Sequence, residues 1–288
     1  MIYKKIIYIV LLVGIISVCS SQLLANNPIE LTDNNNKISL GKHLEYLVDK
    51  SSTVTIQEIL KKDSNLQFIK SMQNIPYLGY LNVPVWIKVN ITNNSKETDW
   101  VLEYDYEYCN SLDLYLVTSK GKIIKKSIDL ISSLKKRELP YRKYGFRLNI
   151  PSNETIKLYV KILKKGKTLL PLMLWSYGSF SKKQNNDYLL LGLYYGMILL
   201  ILLMNLFVFI SIKDKTYIFY VLYILFYGLY QFTTNGLSKV YLWSNGLIFN
   251  QYVVYLVSPL ILVAMLLFVS SFLQLKEKNS KLFKIYTI

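Results

Sequence analysis

Three acids at alternate positions, Glu103, Asp105 and Glu107, are the residues of this 288-residue chain whose spacing first invites chemistry. Two carboxylates flanking one bond are the machinery of glycoside hydrolysis. A period of two, however, puts all three on one face of a strand, opposite Trp100, Leu102, Tyr104, Tyr106 and Tyr108. The spacing therefore predicts a solvated strand face. The single histidine, His43, has no partner cluster, so no nucleophile–histidine set can be assembled around it. Of the two cysteines, Cys19 lies in an N-terminal apolar run, leaving Cys109 in the mature chain. One cysteine makes neither an internal disulfide nor a zinc site. Gly166-Lys167-Thr168 looks like the end of a phosphate-binding loop, but that loop needs a glycine where Lys161 stands. No catalytic residue, metal or cofactor is expected, and the chain reads as a non-enzyme.

The aromatic load is more informative. Trp86, Trp100 and Tyr104 offer flat apolar surfaces, and Arg137 and Arg142 offer planar donors; sugars and other polar small molecules are held by such combinations. These five residues are the candidate ligand-binding set. The competing reading places Trp86 and Trp100 in a hydrophobic core.

The elements that would carry these residues are strands. Val85, Ile87, Val89 and Ile91 alternate with Trp86, Lys88 and Asn90. Further strand patterns fall at 37–40, 44–48, 100–109, 111–118, 122–126, 146–150, 156–162 and 169–175, with turns at Asn93-Asn94-Ser95, Lys120-Gly121 and 151–154. Thr55 and Glu58 fit a capping box opening a short helix, 56–62. Many short strands at regular spacing predict an all-β jelly-roll or β-sandwich domain, here over 37–176. Residues 26–36 read as a flexible lead-in and 177–187 as a polar linker.

The remainder is apolar. Tyr188–Ile212, Tyr217–Leu237 and Tyr252–Leu275 contain no Asp, Glu, Lys or Arg, and each has the ~20 residues needed to cross a bilayer. The expectation is an α-helical transmembrane segment of three spans. Residues 1–25 read as a secretory signal, with Lys4 and Lys5 before an apolar stretch and Ala25 at the cleavage site. The β domain is then outside. Lys213 and Lys215, and Lys276, Lys278, Lys281 and Lys284, fall inside as the positive-inside rule requires, with Lys182 and Lys183 as an exception. The spans hold no ionisable group at mid-depth, which disfavours ion transport. Gly192 and Gly196 form a GxxxG pair that favours close helix packing, within the bundle or in a homodimer. Pro259 is expected to bend the third span. The net charge of +16, from 34 Lys+Arg against 18 Asp+Glu, is scattered and lacks the stripe of a nucleic-acid face, so nucleic acid is not an expected partner.

Several stretches together resemble a known family. They are Leu40-Gly41, Leu44 to Asp49, Thr55 to Glu58, Leu78-Gly79-Tyr80, Val85 to Asn93, Leu112 to Tyr115 and Arg142 to Val160. In the apolar part they are Gly192 to Met197, Asn205-Leu206-Phe207, Lys213-Asp214 with Tyr217, and Tyr220 to Gly236. The chain resembles the bacterial receptors with seven transmembrane helices and diverse intracellular signalling modules, their type 2 extracellular domain first and the start of the membrane module after it. The resemblance implies a jelly-roll like that of carbohydrate-binding modules, serving as input to kinases or cyclases. It implies a membrane sensor that takes a small ligand, carbohydrate among the candidates, on the outer side of the cell (inner) membrane. Four helices and an output domain would be missing after Ile288, so a truncated or split receptor is expected. The alternative is a membrane-anchored binding protein without signalling, or a non-functional fragment.

Overall fold

The computed structural model describes residues 28–61, 65–106, 108–129, 137–243 and 247–275. The expected signal peptide with Cys19, Glu107 and the four C-terminal lysines lie outside the described residues. The chain divides into two compact units. The first takes the chain up to Asp105, Cys109–Ile128 and Phe146–Ser176; the second takes Tyr106–Tyr108, Asp129–Gly145 and the chain from Tyr177 on.

The first unit is built of strands. β1 (Ile29–Leu31), β2 (Lys37–Ser39) and β3 (Glu45–Val48) precede a one-turn helix, α1 (Ile56–Leu60). Then follow β4 (Ile69–Lys70), β5 (Tyr77–Leu81), β6 (Val85–Asn93), β7 (Asp99–Tyr104), β8 (Ser111–Val117) and β9 (Ile123–Asp129). The set closes with β10 (Tyr144–Asn149), β11 (Glu154–Leu163), β12 (Gly166–Leu169) and β13 (Leu172–Ser176). The main sheet runs β4-β3-β6-β11-β8-β9, with β1 added in parallel beside β6. A second sheet runs β10-β7-β13-β2, and β12 pairs with β5.

The alternation predicted for β6 is what buries it. Val85, Ile87, Val89 and Ile91 are sealed, as are Leu112, Leu114 and Leu116 of β8 and Ile156, Leu158, Val160 and Ile162 of β11. Burial of each such side chain contributes roughly 1.5–3 kcal/mol. At the end of β6 the side chain of Asn93 is fully buried and saturated. Its Nδ2 donates to the carbonyls of Glu97 (2.8 Å) and Ile150 (2.7 Å), and its Oδ1 accepts from the N–H and the hydroxyl of Ser95. This replaces strand bonds lost at the turn, as a buried polar group requires. The capping box is present: Glu58 N–H donates to Thr55 Oγ1, and Thr55 N–H donates to Glu58 Oε2 at 2.8 Å.

Three expectations change. The lead-in at 26–36 contains β1, because Ile29 and Leu31 alternate about Glu30 and both are buried. The strand expected over 100–109 ends at Tyr104, and the one acid it contains after Asp99, Glu103, is not solvated. β7 lies inside its sheet between β10 and β13, so Glu103 is fully buried and accepts a hydrogen bond from Trp175 Nε1 at 2.8 Å. The strand expected at 169–175 is two strands, β12 and β13, separated at Leu170 and Pro171.

The second unit is helical: α2 (Tyr177–Ile212), α3 (Lys215–Thr234), a short α4 (Leu237–Tyr241) and α5 (Leu247–Phe272). The stretch 177–187, expected as a linker, is the start of α2 and runs without a break into its apolar part. Two helical segments, Tyr177–Ile212 and Tyr252–Phe272, are long and apolar enough to cross a membrane. The expected second span corresponds to α3, which has 20 residues but carries Gln231, Thr233, Thr234 and five tyrosines among its apolar residues, and it does not join those two. α3 packs on both α2 and α5, and a Cβ at Gly228 would stand 3.3 Å from Ile198 of α2. Gly192 and Gly196, by contrast, have open space around them. The close helix approach uses Gly228 and leaves the GxxxG face uncovered among the described residues. Asp214 caps α3 by accepting from Thr216 N–H at 2.8 Å. Pro259 lies inside α5, where it withholds one backbone donor.

Candidate functional site

The residues proposed from sequence do not form one group. Trp86 is 1% exposed, and Trp100 and Tyr104 are fully buried. Trp100 donates its Nε1–H to the Glu97 carbonyl, and the Tyr104 hydroxyl donates to the Leu169 carbonyl. All three are buried side chains of the first unit, Trp86 in a cluster with Ile56 and Tyr159. Arg137 and Arg142 belong to the second unit. His43 is exposed.

Arg142 sits in a polar cluster of the helical unit. Its Nη2 meets Asp187 Oδ2 at 3.0 Å. The Tyr141 hydroxyl donates to the same oxygen at 3.0 Å, and Lys183, one turn earlier on α2, approaches it at 3.8 Å. The Lys183 ammonium also donates to the Tyr141 hydroxyl at 3.2 Å. Around this knot Tyr141 meets Phe180 and Tyr188 edge-on, with ring centroids 5.4 and 6.2 Å apart. Arg142 and Asp187 have side chains 10% and 26% exposed, so their charges interact with less solvent screening than a surface pair. The outer lysine that departs from the positive-inside rule, Lys183, is therefore held by Asp187.

Arg142 also reaches the end of α3. Its Nη1 donates to the Asn235 carbonyl at 3.2 Å, and Asn235 Nδ2 donates to the Tyr195 hydroxyl at 2.9 Å. Gly236 follows with φ +76°, and a Cβ there would stand 3.1 Å from the Arg142 carbonyl oxygen. The position requires glycine for its backbone angle and for the close approach. Next to it Lys239, 2% exposed, has its ammonium over the rings of Tyr108 (5.1 Å) and Tyr144 (5.4 Å), and Arg137 lies over Tyr144 at 4.8 Å. Asn250 ties the start of α5 in: its Oδ1 accepts from the Ser238 hydroxyl and from Trp243 Nε1.

These side chains do two chemical things. They neutralise one another's charge, and they bind the segments of Tyr108 and of 137–145 into the helical unit. Both segments are continuous in the chain with strands: 106–108 lies between β7 and β8, and 137–145 runs into β10. Asp187, Lys183, Tyr195, Asn235 and Asn250 were not legible as site residues. The available signal was Asp187, an acid at the edge of a 25-residue apolar run, and the Asn235-Gly236 pair where the α3 pattern stops. Among the described residues no group of His, Cys, Asp and Glu has a metal-holding arrangement.

Comparison with known proteins sets this arrangement in context. Among solved structures, TmCBM61 in complex with β-1,4-galactotriose is 9% identical, with a TM-score of 0.27, covering 50% of this chain and 96% of that one. The GH31 α-xylosidase Xac1773 from Xanthomonas citri is 14% identical, with a TM-score of 0.20, covering 46% of this chain and 15% of that one. At these scores neither likeness carries an argument about a ligand. No curated protein matches the chain. Two family models match: 7TMR-DISM extracellular 2 over residues 41–176, and 7TM diverse intracellular signalling over residues 187–288. The chain therefore belongs to the 7TMR-DISM receptor family, as a membrane protein whose β-rich extracellular domain precedes apolar helices.

Proposed function

We propose that this chain is the input part of a membrane sensor: its extracellular β domain takes a small ligand, carbohydrate among the candidates, and passes the bound state to the helices. The observation that carries the reading is the receptor-family match together with the membership of Tyr106, Tyr108 and residues 137–145 in the helical unit. A ligand that prefers one conformation of the strands biases the segments continuous with them, and only such a preference can shift the equilibrium. In this reading the two larger sheets form a jelly-roll sandwich over 37–176, residues 1–25 are a cleaved signal, and α2, α3 and α5 all cross the inner membrane. The lipid bilayer is the surrounding partner. The uncovered Gly192–Gly196 face supports a homodimer. Nucleic acid has no part in it.

Thermal unfolding of the full chain in lipid nanodiscs tests the ligand, using a broad glycan and metabolite panel. At least one compound should raise the midpoint; silence across the panel would sink the sensor reading. Thiol labelling tests the three spans. Lys213→Cys should react only from the inner side, and Asn153→Cys and Tyr241→Cys only from the outer side. Labelling of Lys213→Cys and Tyr241→Cys from one side would remove α3 as a span.

A further inference from the structure

The main sheet has a second face that the core does not use. The strand registers lay it out in rows. Leu47, Trp86, Lys161 and Asp113 form one row across β3, β6, β11 and β8, and Glu45, Lys88, Tyr159 and Tyr115 form the next. A solvent-facing sheet surface would be polar throughout. Here Trp86 is 1% and Tyr159 5% exposed, because Val54, Ile56, Ile59 and Leu60 of residues 49–61 pack against them, with Phe68 beside.

That strap is held by apolar contacts of Val54, Ile56, Ile59 and Leu60 and by one backbone bond at its start, Asp49 N–H to the Pro84 carbonyl at 2.9 Å. Asp49 shapes its turn, accepting from Ser51 Oγ at 2.7 Å and from Val54 N–H at 3.0 Å. Ile56 of α1 is its buried anchor on Trp86 and Tyr159. Its polar tie to β11 is Lys161 Nζ donating to the Val54 carbonyl at 3.2 Å. A helix of five residues has no stability of its own and stays folded only while its apolar side is packed.

Beneath the strap the polar accounting is incomplete. The indole Nε1–H of Trp86 is buried without a hydrogen-bond acceptor, and Asn90 Oδ1, on the same face of β6, is buried without a donor. A buried donor left without an acceptor is costly and calls for an explanation. The Lys161 ammonium stands 5.1 Å from the Trp86 ring centre, so a cation and an unused N–H meet at one indole. Tyr115 adds a second ring 5.6 Å from Trp86. Lys88 and Lys125 edge the face, each already paired with an acid, Glu45 at 2.7 Å and Asp113 at 3.9 Å. Burial, followed by the charge of Glu45, pushes the Tyr159 hydroxyl above its ordinary pKa, so it stays neutral.

We infer that this face, with Trp86 and Tyr115 as its floor and Lys161 as its cation, is a binding site for a ring-bearing carboxylate, and that residues 49–61 are its displaceable cover. The ring stacks on the aromatics. The carboxylate accepts from Trp86 Nε1–H and from Lys161, and charge-assisted bonds of this kind are about twice as strong as neutral ones. The Val54 carbonyl now occupies the ammonium that the carboxylate would take. Ligand and strap therefore compete for Lys161, and binding releases the strap.

The inference rests on the sensor reading and deepens it. A uronic sugar and an aromatic acid share the required chemistry, so the test carries both. Galacturonate and indole-3-acetate, with galactose and acetate as controls, are titrated into the full chain in nanodiscs while amide hydrogen exchange and trypsin nicking at Lys50 and Lys61 are followed. One of the two acids should speed exchange across 50–61 at least several-fold, and the controls should not. Trp86→Phe keeps the ring and removes the donor; it should weaken the effect about tenfold. Lys161→Met should show a released strap before any acid is added. If neither acid binds the natural chain or Ile56→Ser, whose strap has lost its anchor, the site is refuted. A panel compound that stabilises the natural chain and Trp86→Phe equally refutes this site while leaving the sensor reading intact.

Discussion

Leu158 in the middle of β11 is fully sealed, whereas Leu190, Met197 and Phe207 on α2 are 66%, 60% and 71% exposed. Both regions are rich in leucine and isoleucine, so composition alone does not separate them. The difference lies in what surrounds each. Strands alternate, and each apolar side chain finds protein on one side of its sheet. The α2 apolar segment has no polar face, and its leucines need an apolar solvent. Polar groups follow the same division. In the β unit Asn93 is saturated by carbonyls and a serine, while in the helical unit charge is matched by charge at Arg142 and Asp187.

The largest test of this contrast is a paired truncation. Leu158→Ala should destabilise by about 2–5 kcal/mol through the cavity it leaves, whereas Leu199→Ala, 55% exposed, should fall within about 0.5 kcal/mol. Denaturant unfolding in detergent, followed by tryptophan fluorescence, reads both. Equal losses would mean that the α2 face is packed against protein, and the contrast would collapse. A smaller effect sharpens it: Arg142→Ala should lose roughly 1.5–3 kcal/mol by stripping a charged hydrogen bond from a mostly buried carboxylate. Arg147→Ala removes an ion pair of similar geometry, 2.7 Å from Asp99, but with both side chains about two-fifths exposed, and it should lose no more than about 1 kcal/mol.

The smallest effect is in pH. The hydrogen bond from Arg147 holds the Asp99 carboxyl below the usual carboxylate range, against a weak opposing effect of burial and with help from the Arg147 charge. A lowered pKa stabilises the fold above the unfolded value near ~3.9 and loses that contribution as pH falls through the folded value. Arg147→Ala should therefore shallow the acid limb of a stability–pH curve below about pH 4. An unchanged limb would show that Asp99 contributes nothing measurable.

Strand positions were legible wherever one face was apolar and the other polar, as in β6, β8 and β11. A strand as short as β1 was missed because three residues give too little alternation to read, and β7 was found but its polar side was read as facing solvent, because alternation does not show that a strand is buried on both faces. Glu103 shows the cost of that blindness: a buried acid looks like a surface acid until the partner Trp175 is placed beside it. The apolar runs were legible as helices, but the polar cap over them was not. Arg142 and Asp187 are far apart in the chain, and nothing local marks two opposite charges as partners. Gly236 carried a local mark, an Asn-Gly pair at a helix end, whose close approach to the Arg142 backbone emerges only in three dimensions.

One consequence follows from the length of α2. Its 36 residues make a rod of about 54 Å, against a hydrocarbon core of about 30 Å. It contains no proline, unlike α5. With no proline to withhold a backbone donor, its hydrogen-bond ladder runs unbroken by proline from Phe180 to Asn205. Any message it carries is mechanical, a rotation or a piston stroke of one continuous helix.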